Sequence, residues 1–391
     1  MSKIEDLIKQ HCPNGVEYKE LGTLCKIDTG IQLNKNLLFD TGKYPVINGG
    51  IFPSGRYDEY NVEKDNITVS QGGASAGYVN WMTEPFWSGA HCYTVLPLTN
   101  NINKRFVYHI LKLNQQDFMN SQQGAGIPSL NRKKLNTLKI PVPPMAVQEE
   151  IVRILDAFTE LEKELEKELE KRKQQYEYYR NKLLTFDENT TGGGIKFMPL
   201  SEVCNYRRGS FPQPYGDRRW YDGDGAMPFV QVVDVGEDMR LVDDTKNKIS
   251  KLAQPQSVFV PQGTVIVSLQ GSIGRVAITQ YDSYVDRTLA IFTDYKINID
   301  KKYFAYQLQS KFSIEKEFAR GSTIKTITKE EFSKFIIPIP PIEEQERIVS
   351  ILDKFDALVN DISIGLPAEI NGRRQQYEYY RDKLLSFEEV A

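Results

Sequence analysis

Ile140-Pro141-Val142-Pro143-Pro144 opens a stretch that passes through Gln148-Glu149 and Ile151-Val152. It closes on Gln174-Gln175-Tyr176-Glu177-Tyr178-Tyr179-Arg180-Asn181-Lys182-Leu183-Leu184-Thr185-Phe186. The same stretch returns between Ile337-Pro338-Ile339-Pro340-Pro341 and Gln375-Gln376-Tyr377-Glu378-Tyr379-Tyr380-Arg381-Asp382-Lys383-Leu384-Leu385-Ser386-Phe387, with eleven of the closing thirteen positions identical. Proline cannot continue a helix backwards, so a helix starts just after each Pro-Pro pair. In the first copy apolar residues fall at Ile151, Ile154, Phe158, Leu161, Leu165, Leu169, Tyr176, Tyr179, Leu183 and Phe186, a three-four spacing with a central stutter. Glu and Lys between them supply a solvated outer face. About 39 residues at ~1.5 Å each make a rod of ~58 Å. Two ordinary bundle helices would satisfy this pattern. An antiparallel coiled coil satisfies it as well, and would set the repeated ends at opposite ends of the rod. Around Gly365-Leu366-Pro367-Ala368 the second copy carries four extra residues, and Pro367 should kink or open it.

The repeat extends outward from the helices. Cys25 and Gly30 match Cys204 and Gly209 at an offset of 179, Lys104 matches Lys301 at 197, and Gln174 matches Gln375 at 201. The second middle is therefore about 18 residues longer, within a shared frame. Such a repeat predicts two equivalent units about a pseudo-twofold axis. Short β runs are expected at 66–71, 91–98, 227–235, 264–269, 275–280 and 288–292. Helices are expected at 103–119 and 301–319. Turns follow at Gly124-Ala125-Gly126-Ile127 and Gly321-Ser322-Thr323-Ile324, and then a short strand into each Pro-rich segment. Each unit reads as an α/β (α+β) globule followed by a long helix.

The 391 residues suffice for two such cores, and a formal net charge of −3 leaves partners to be read locally. No apolar run is long enough to span a membrane and no signal peptide opens the chain, so a cytoplasmic protein is expected. Four cysteines, none in a C-x-x-C pair, make no disulfide framework, and the matching Cys25 and Cys204 predict a shared packing role. His11-Cys12 and His91-Cys92 lack a second pair at zinc-finger spacing.

Candidate contacts gather in the middles. Arg207, Arg208, Arg218, Arg219 and Trp220 crowd a Gly/Pro/Gln-rich stretch opposed only by Asp217, and Gln270, Ser272 and Arg275 sit on a glycine turn. Arginine on a loop can fork onto guanine edges or clamp phosphates. The first unit offers Lys35 and Asn36, then Gln71, Ser75 and Tyr78 on its glycine turn, then Arg132 and Lys133; Lys325 follows the later turn of the second unit. Singly, each reads as a solvated surface group. Together, in two repeats, they read as paired reading heads. The phosphate-loop pattern fails because Tyr78 stands where lysine is required, and three histidines leave little for general base work. The chain reads as a binder without catalytic residues.

With the repeated helices, the Pro-Pro and Gln-Glu segments, and Gly271 to Ile278 (Gly-Ser-Ile-Gly-Arg-Val-Ala-Ile), the chain resembles the specificity subunit of type I restriction-modification enzymes over nearly its full length. The first unit departs from the family turn with Gly73-Ala74-Ser75-Ala76-Gly77-Tyr78-Val79. The resemblance implies target recognition domains at 1–139 and 188–336, and spacer helices at 140–187 and 337–391. Each domain would read one half of a split double-stranded DNA site. The helices would act as a ruler and dock two modification (methyltransferase) subunits, with Tyr176, Tyr179, Arg180, Tyr377, Tyr380 and Arg381 as candidate partner contacts. Restriction (motor-nuclease) subunits would complete the complex. S-adenosylmethionine, Mg and ATP would belong to those partners, leaving no cofactor or metal here. A coiled-coil adaptor that binds proteins and shows no sequence-specific DNA affinity is the alternative.

Overall fold

The computed structural model describes residues 2–121, 128–187, 194–318, 329–361 and 363–390. The turns expected at 124–127 and 321–324, and with them Lys325, lie outside these residues. The chain forms two compact units: Met1–Glu166 with Glu369–Ala391, and Lys167–Ala368.

The first unit holds a four-stranded antiparallel sheet in the order Cys25–Thr29, Cys92–Pro97, Asn66–Ser70, Val79–Met82. The second repeats it with Cys204–Arg208, Leu289–Tyr295, Val265–Ser268 and Val276–Ile278. Strands Asn66–Ser70 and Val265–Ser268 are buried at every residue, which is why they read as unbroken runs rather than alternations. A second sheet joins Arg56–Tyr57, Tyr44–Ile47 and Trp87–Ser88, matched by Asn247–Ile249, Met227–Val230, Ser283–Val285 and Val258–Val260. Each contains one parallel pair: Val46 and Ile47 beside Trp87 and Ser88, and Phe229 and Val230 beside Tyr284 and Val285.

Two expected elements are interrupted where the sequence suggested a continuous run. The run at 227–235 leaves the sheet after Val230, because the Gln231 N–H donates to the Asp234 carboxylate at 2.8 Å and closes a 3₁₀ turn, Val232–Asp234. The helix at 103–119 divides into Lys104–Leu113 and Gln115–Asn120 at Asn114, whose side-chain amide donates to the Ile110 carbonyl. Its counterpart Lys301–Phe318 is continuous.

Helix Met145–Leu184 starts directly after Pro144. The repeated glutamine of its first turn is a clasp. Buried Gln148 donates to the Pro143 and Asn101 carbonyls and accepts from the Asn103 N–H, tying the long helix to the N-cap of Lys104–Leu113. Gln345 repeats this with the Pro340 carbonyl and the Asp300 N–H. The second helical stretch is broken into Ile342–Asn360 and Leu366–Leu385, with Pro367 in the first turn of the latter. Asp361 caps the gap through the Ser363 N–H at 2.7 Å.

Each core borrows from the repeated helix ends. Leu384 and Leu385 pack with Ile4, Leu21 and Phe106 in the first unit; Tyr176 and Leu184 pack with Leu200, Phe304 and Phe312 in the second. Cys25 and Cys204 are buried in these matching cores, and burial pushes both thiols up to about 12. Among the described residues no helix is long and apolar enough to cross a membrane.

Candidate nucleic-acid interface

The glycine turns leave equivalent strands. After Asn66–Ser70, the Gly77 N–H donates to the Ser70 carbonyl and the Ser70 N–H to the Tyr78 carbonyl; after Val265–Ser268, Gly274, Ser268 and Arg275 make the same two bonds. Both glycines adopt positive φ, +94° and +75°, and a Cβ would lie 2.8 Å from Phe118 or 2.5 Å from Phe312. The first turn differs in sequence from the second but closes with the same pair of bonds, one residue longer.

Around these turns the first unit exposes Lys35 and Asn36 on a 3₁₀ turn, Lys35–Leu37, capped by the Asn34 side chain. The second unit builds the same device from Arg218–Trp220 with Asp217 as cap. Arg207, Arg208 and Arg218 are exposed, with no ion pair among the described residues. Arg219 differs. Its guanidinium grips the Asp217 carboxylate at 2.6 and 3.1 Å and holds that carboxyl below the usual range. Trp220 packs with Tyr215, Tyr221 and Tyr284 around Phe229, and its ring N–H is buried without a partner. Arg275 turns inward to donate to the Val235 carbonyl at 3.1 Å, while Gln270 is half-buried and Ser272 exposed.

In the first unit Gln71 is half-buried with an unpartnered amide oxygen, and its backbone pairs with His91 and Leu130. Ser75 is half-buried, and its carbonyl accepts from the Tyr78 N–H. The Tyr78 ring lies under the Lys112 ammonium at 4.5 Å. Arg132 donates to the Thr29 hydroxyl and covers the Tyr93 ring, whereas Lys133 is exposed.

Sequence reasoning missed a cleft of about 520 Å³ in the second unit, where Gln231, Lys246, Asn247 and Arg287 converge with the buried Asp286. The polar triplet Asp286-Arg287-Thr288 after a short β run was its only sequence signal. In the first unit Phe52, 80% exposed on the loop after Tyr44–Ile47, was also missed.

The repeated Tyr-rich ends split by direction. Tyr176 and Tyr377, expected to face a partner, point into their own units. Tyr176 stacks on Phe355 at 6.2 Å, and burial pushes its hydroxyl up to about 12. The Tyr377 hydroxyl lies 3.3 Å from His109 Nδ1. The reason is that each globule lays its own helix, Lys104–Leu113 or Lys301–Phe318, across that ring. Tyr179 stacks on Phe355 and Tyr380 on Phe158, each with an accessible edge. Arg180 and Arg381 lie over the rings of Tyr176 and Tyr377. The outward rings are Tyr178 and Tyr379, 60% and 62% exposed.

Among the described residues no group of three or more His, Cys, Asp or Glu is placed to hold a metal ion. The arrangement offers guanidinium, ammonium and amide groups on loops, the chemistry that grips phosphates and base edges.

A family model described as the type I restriction modification DNA specificity domain matches residues 13–171 and again 193–372. A putative type I restriction enzyme specificity subunit of Haemophilus influenzae is 33% identical over 342 residues, 84% of each chain. The fold is shared with a crystal structure of a type-I restriction-modification S subunit from M. genitalium (TM-score 0.60, 20% identity, 95% of this chain and 96% of that one). A chain from structural work on complex assembly and conformational transition of the type I R-M system gives 0.62 at 19% identity, covering 95% and 98%.

Proposed function

Because the chain belongs to the family of type I restriction-modification DNA specificity subunits, we propose that it reads a two-part double-stranded DNA sequence, one half per globule, without an active site of its own. The observation that carries this is the double match: the specificity domain occurs twice, and each occurrence builds the same four-stranded sheet and glycine turn. The relatives favour DNA recognition over a protein-binding adaptor. Residues 1–139 and 188–336 are the recognition domains of this reading, and 140–187 and 337–391 its spacer helices.

The helices serve as ruler and docking surface. In the first unit Phe158 stacks on Tyr380, while Glu162 and Glu166 pair with Arg374, so contacts climb one helix as they descend the other. This supports an antiparallel coiled coil related by a pseudo-twofold axis. Two modification subunits dock on it, with the outward Tyr178 and Tyr379 beside Tyr179 and Tyr380. Restriction subunits complete the assembly in the cytoplasm, and S-adenosylmethionine, Mg and ATP are held by the partners.

The test is to assemble the chain with its modification subunits and map methylated adenines. A split motif is expected. Replacing residues 22–120 by another member's middle should change one half only; a change in both halves, or in neither, overturns independent reading.

A further inference from the structure

The cleft of the second unit contains a hydrogen-bond acceptor that the protein itself does not use. Asp286 is 2% exposed and lines the cleft. Its Oδ1 accepts from the Thr288 N–H at 2.9 Å and from the Thr288 hydroxyl at 2.5 Å, which fixes the plane of the carboxylate. Its Oδ2 is buried and has no hydrogen-bond partner. A buried acceptor left unpaired is costly in a low-dielectric site, and native folds keep few of them. Its surroundings point to a planar polar ligand: the Asn247 amide donates to Gln231 Oε1 at 2.6 Å in the same cleft, and the Arg287 guanidinium lies over the Tyr215 ring at 5.5 Å.

The first unit carries different chemistry at the matching place. Val230 pairs with Val285 ahead of Asp286, as Ile47 pairs with Ser88 ahead of Gly89. Gly89 has no side chain, and a Cβ there would lie 2.7 Å from Asn48 Oδ1. Where the second unit presents the Asp286 carboxylate, the first presents the Asn48 amide. Two frames that read different sequences need such a difference.

We propose that Asp286 is a specificity-determining residue of the second unit, its Oδ2 accepting a hydrogen bond from the exocyclic amino group of a DNA base, adenine N6 or cytosine N4. This deepens the DNA-recognition reading and rests on it. In the major groove only adenine and cytosine present amino donors, while guanine and thymine present oxygens that a carboxylate repels.

The proposal makes an inverting prediction. In Asp286→Asn the amide oxygen stays with the two Thr288 donors, so the NH₂ takes the place of Oδ2. A donor then stands where an acceptor stood. Methylated adenines mapped with the assembled complex should show one position of the second unit's half-site moving from an amino base (A or C) to a keto base (G or T). The preference should change on the order of tenfold. An unchanged motif, a change in the other half-site, or a uniform loss of methylation with unchanged preferences overturns the assignment; the last outcome marks a purely structural aspartate. Asp286→Gly, the residue of the first unit, supplies a second measurement. On oligonucleotides with purine or 2-pyrimidinone at each adenine or cytosine in turn, the wild-type complex should lose affinity at one position, and Asp286→Gly should abolish that loss. If the loss persists in the variant, Asp286 is not the reader. A wild-type complex with no split motif would instead remove the DNA-recognition reading itself.

Discussion

At Gly77 and Gly274 a single missing side chain decides whether the glycine turns can close. Both need the left-handed backbone, and both press on a buried phenylalanine. Gly274→Ala adds strain at positive φ, about 1–2 kcal/mol, and forces Phe312 to move in a full core, about 1–3 kcal/mol. Chemical denaturation should show a loss of roughly 2–5 kcal/mol on these values, whereas exposed Gly271→Ala, with nothing near its Cβ, should lose only the φ part. Gln345→Leu makes a separate case. It keeps the volume but strands the Asp300 N–H and the Pro340 carbonyl, which should destabilise by about 1–3 kcal/mol for each buried group. A variant as stable as wild type would show that Gln345 is no clasp. The glycine pattern was legible as a turn. That Arg219 and Arg275 are engaged within the protein was not, since neither Asp217 nor the Val235 carbonyl announces its aim in sequence.

At the scale of elements, the two units tie globule to helix with the same four positions and different chemistry. His109 stands between Asp156 Oδ1 at 2.9 Å and the Tyr377 hydroxyl; Tyr306 donates to Asp353 Oδ1 at 3.1 Å beside Tyr176. Arg105 pairs with Asp156, and Lys302 with Asp353. Burial holds the His109 pKa below its ordinary value; Asp156 opposes this, and Arg105 and Arg381 add to it. A depressed histidine means that the unfolded chain binds more protons below about pH 6.5, so stability is present above that pH and falls as pH drops through it. His109→Tyr, which copies the second unit, should remove that part of the acid sensitivity. Thermal unfolding at pH 5.5 and 7.5 checks it, and an equal pH dependence in both proteins would discard His109 as its source.

For the whole molecule, the chain passes between its units twice, at 166/167 and at 368/369. On the ruler proposal both passages must lengthen together. Four residues added after Glu166, and four more after Ala368, should move the recognised half-sites apart by roughly one turn, ~6 Å. That is about one or two base pairs at ~3.4 Å per step. The half-site sequences should not change. Two-residue insertions rotate the apolar stripe by about half a turn and should abolish assembly. Methylation mapping decides between these outcomes; a spacer that stays constant in the well-folded longer variant sinks the ruler.

Local signals carried far on their own. The repeat, the helix start after Pro143-Pro144, the break near Pro367 and the buried strands at Asn66–Ser70 and Val265–Ser268 follow from proline chemistry, periodicity and β-branched runs, which act over a few residues. Tertiary structure decided what depends on partners far away in sequence. Residues 369–391 belong to the first unit because Leu384 and Leu385 fill its core, more than two hundred residues from the helix start they accompany. Tyr176 faces inward and Tyr178 outward because Lys301–Phe318 crosses one side of their helix, and no spacing within that helix records which side. The unpartnered oxygen of Asp286, between strand Ser283–Val285 of one sheet and Leu289–Tyr295 of another, appears only in the folded chain, since an acceptor is orphaned by its whole surroundings and not by its neighbours in the chain.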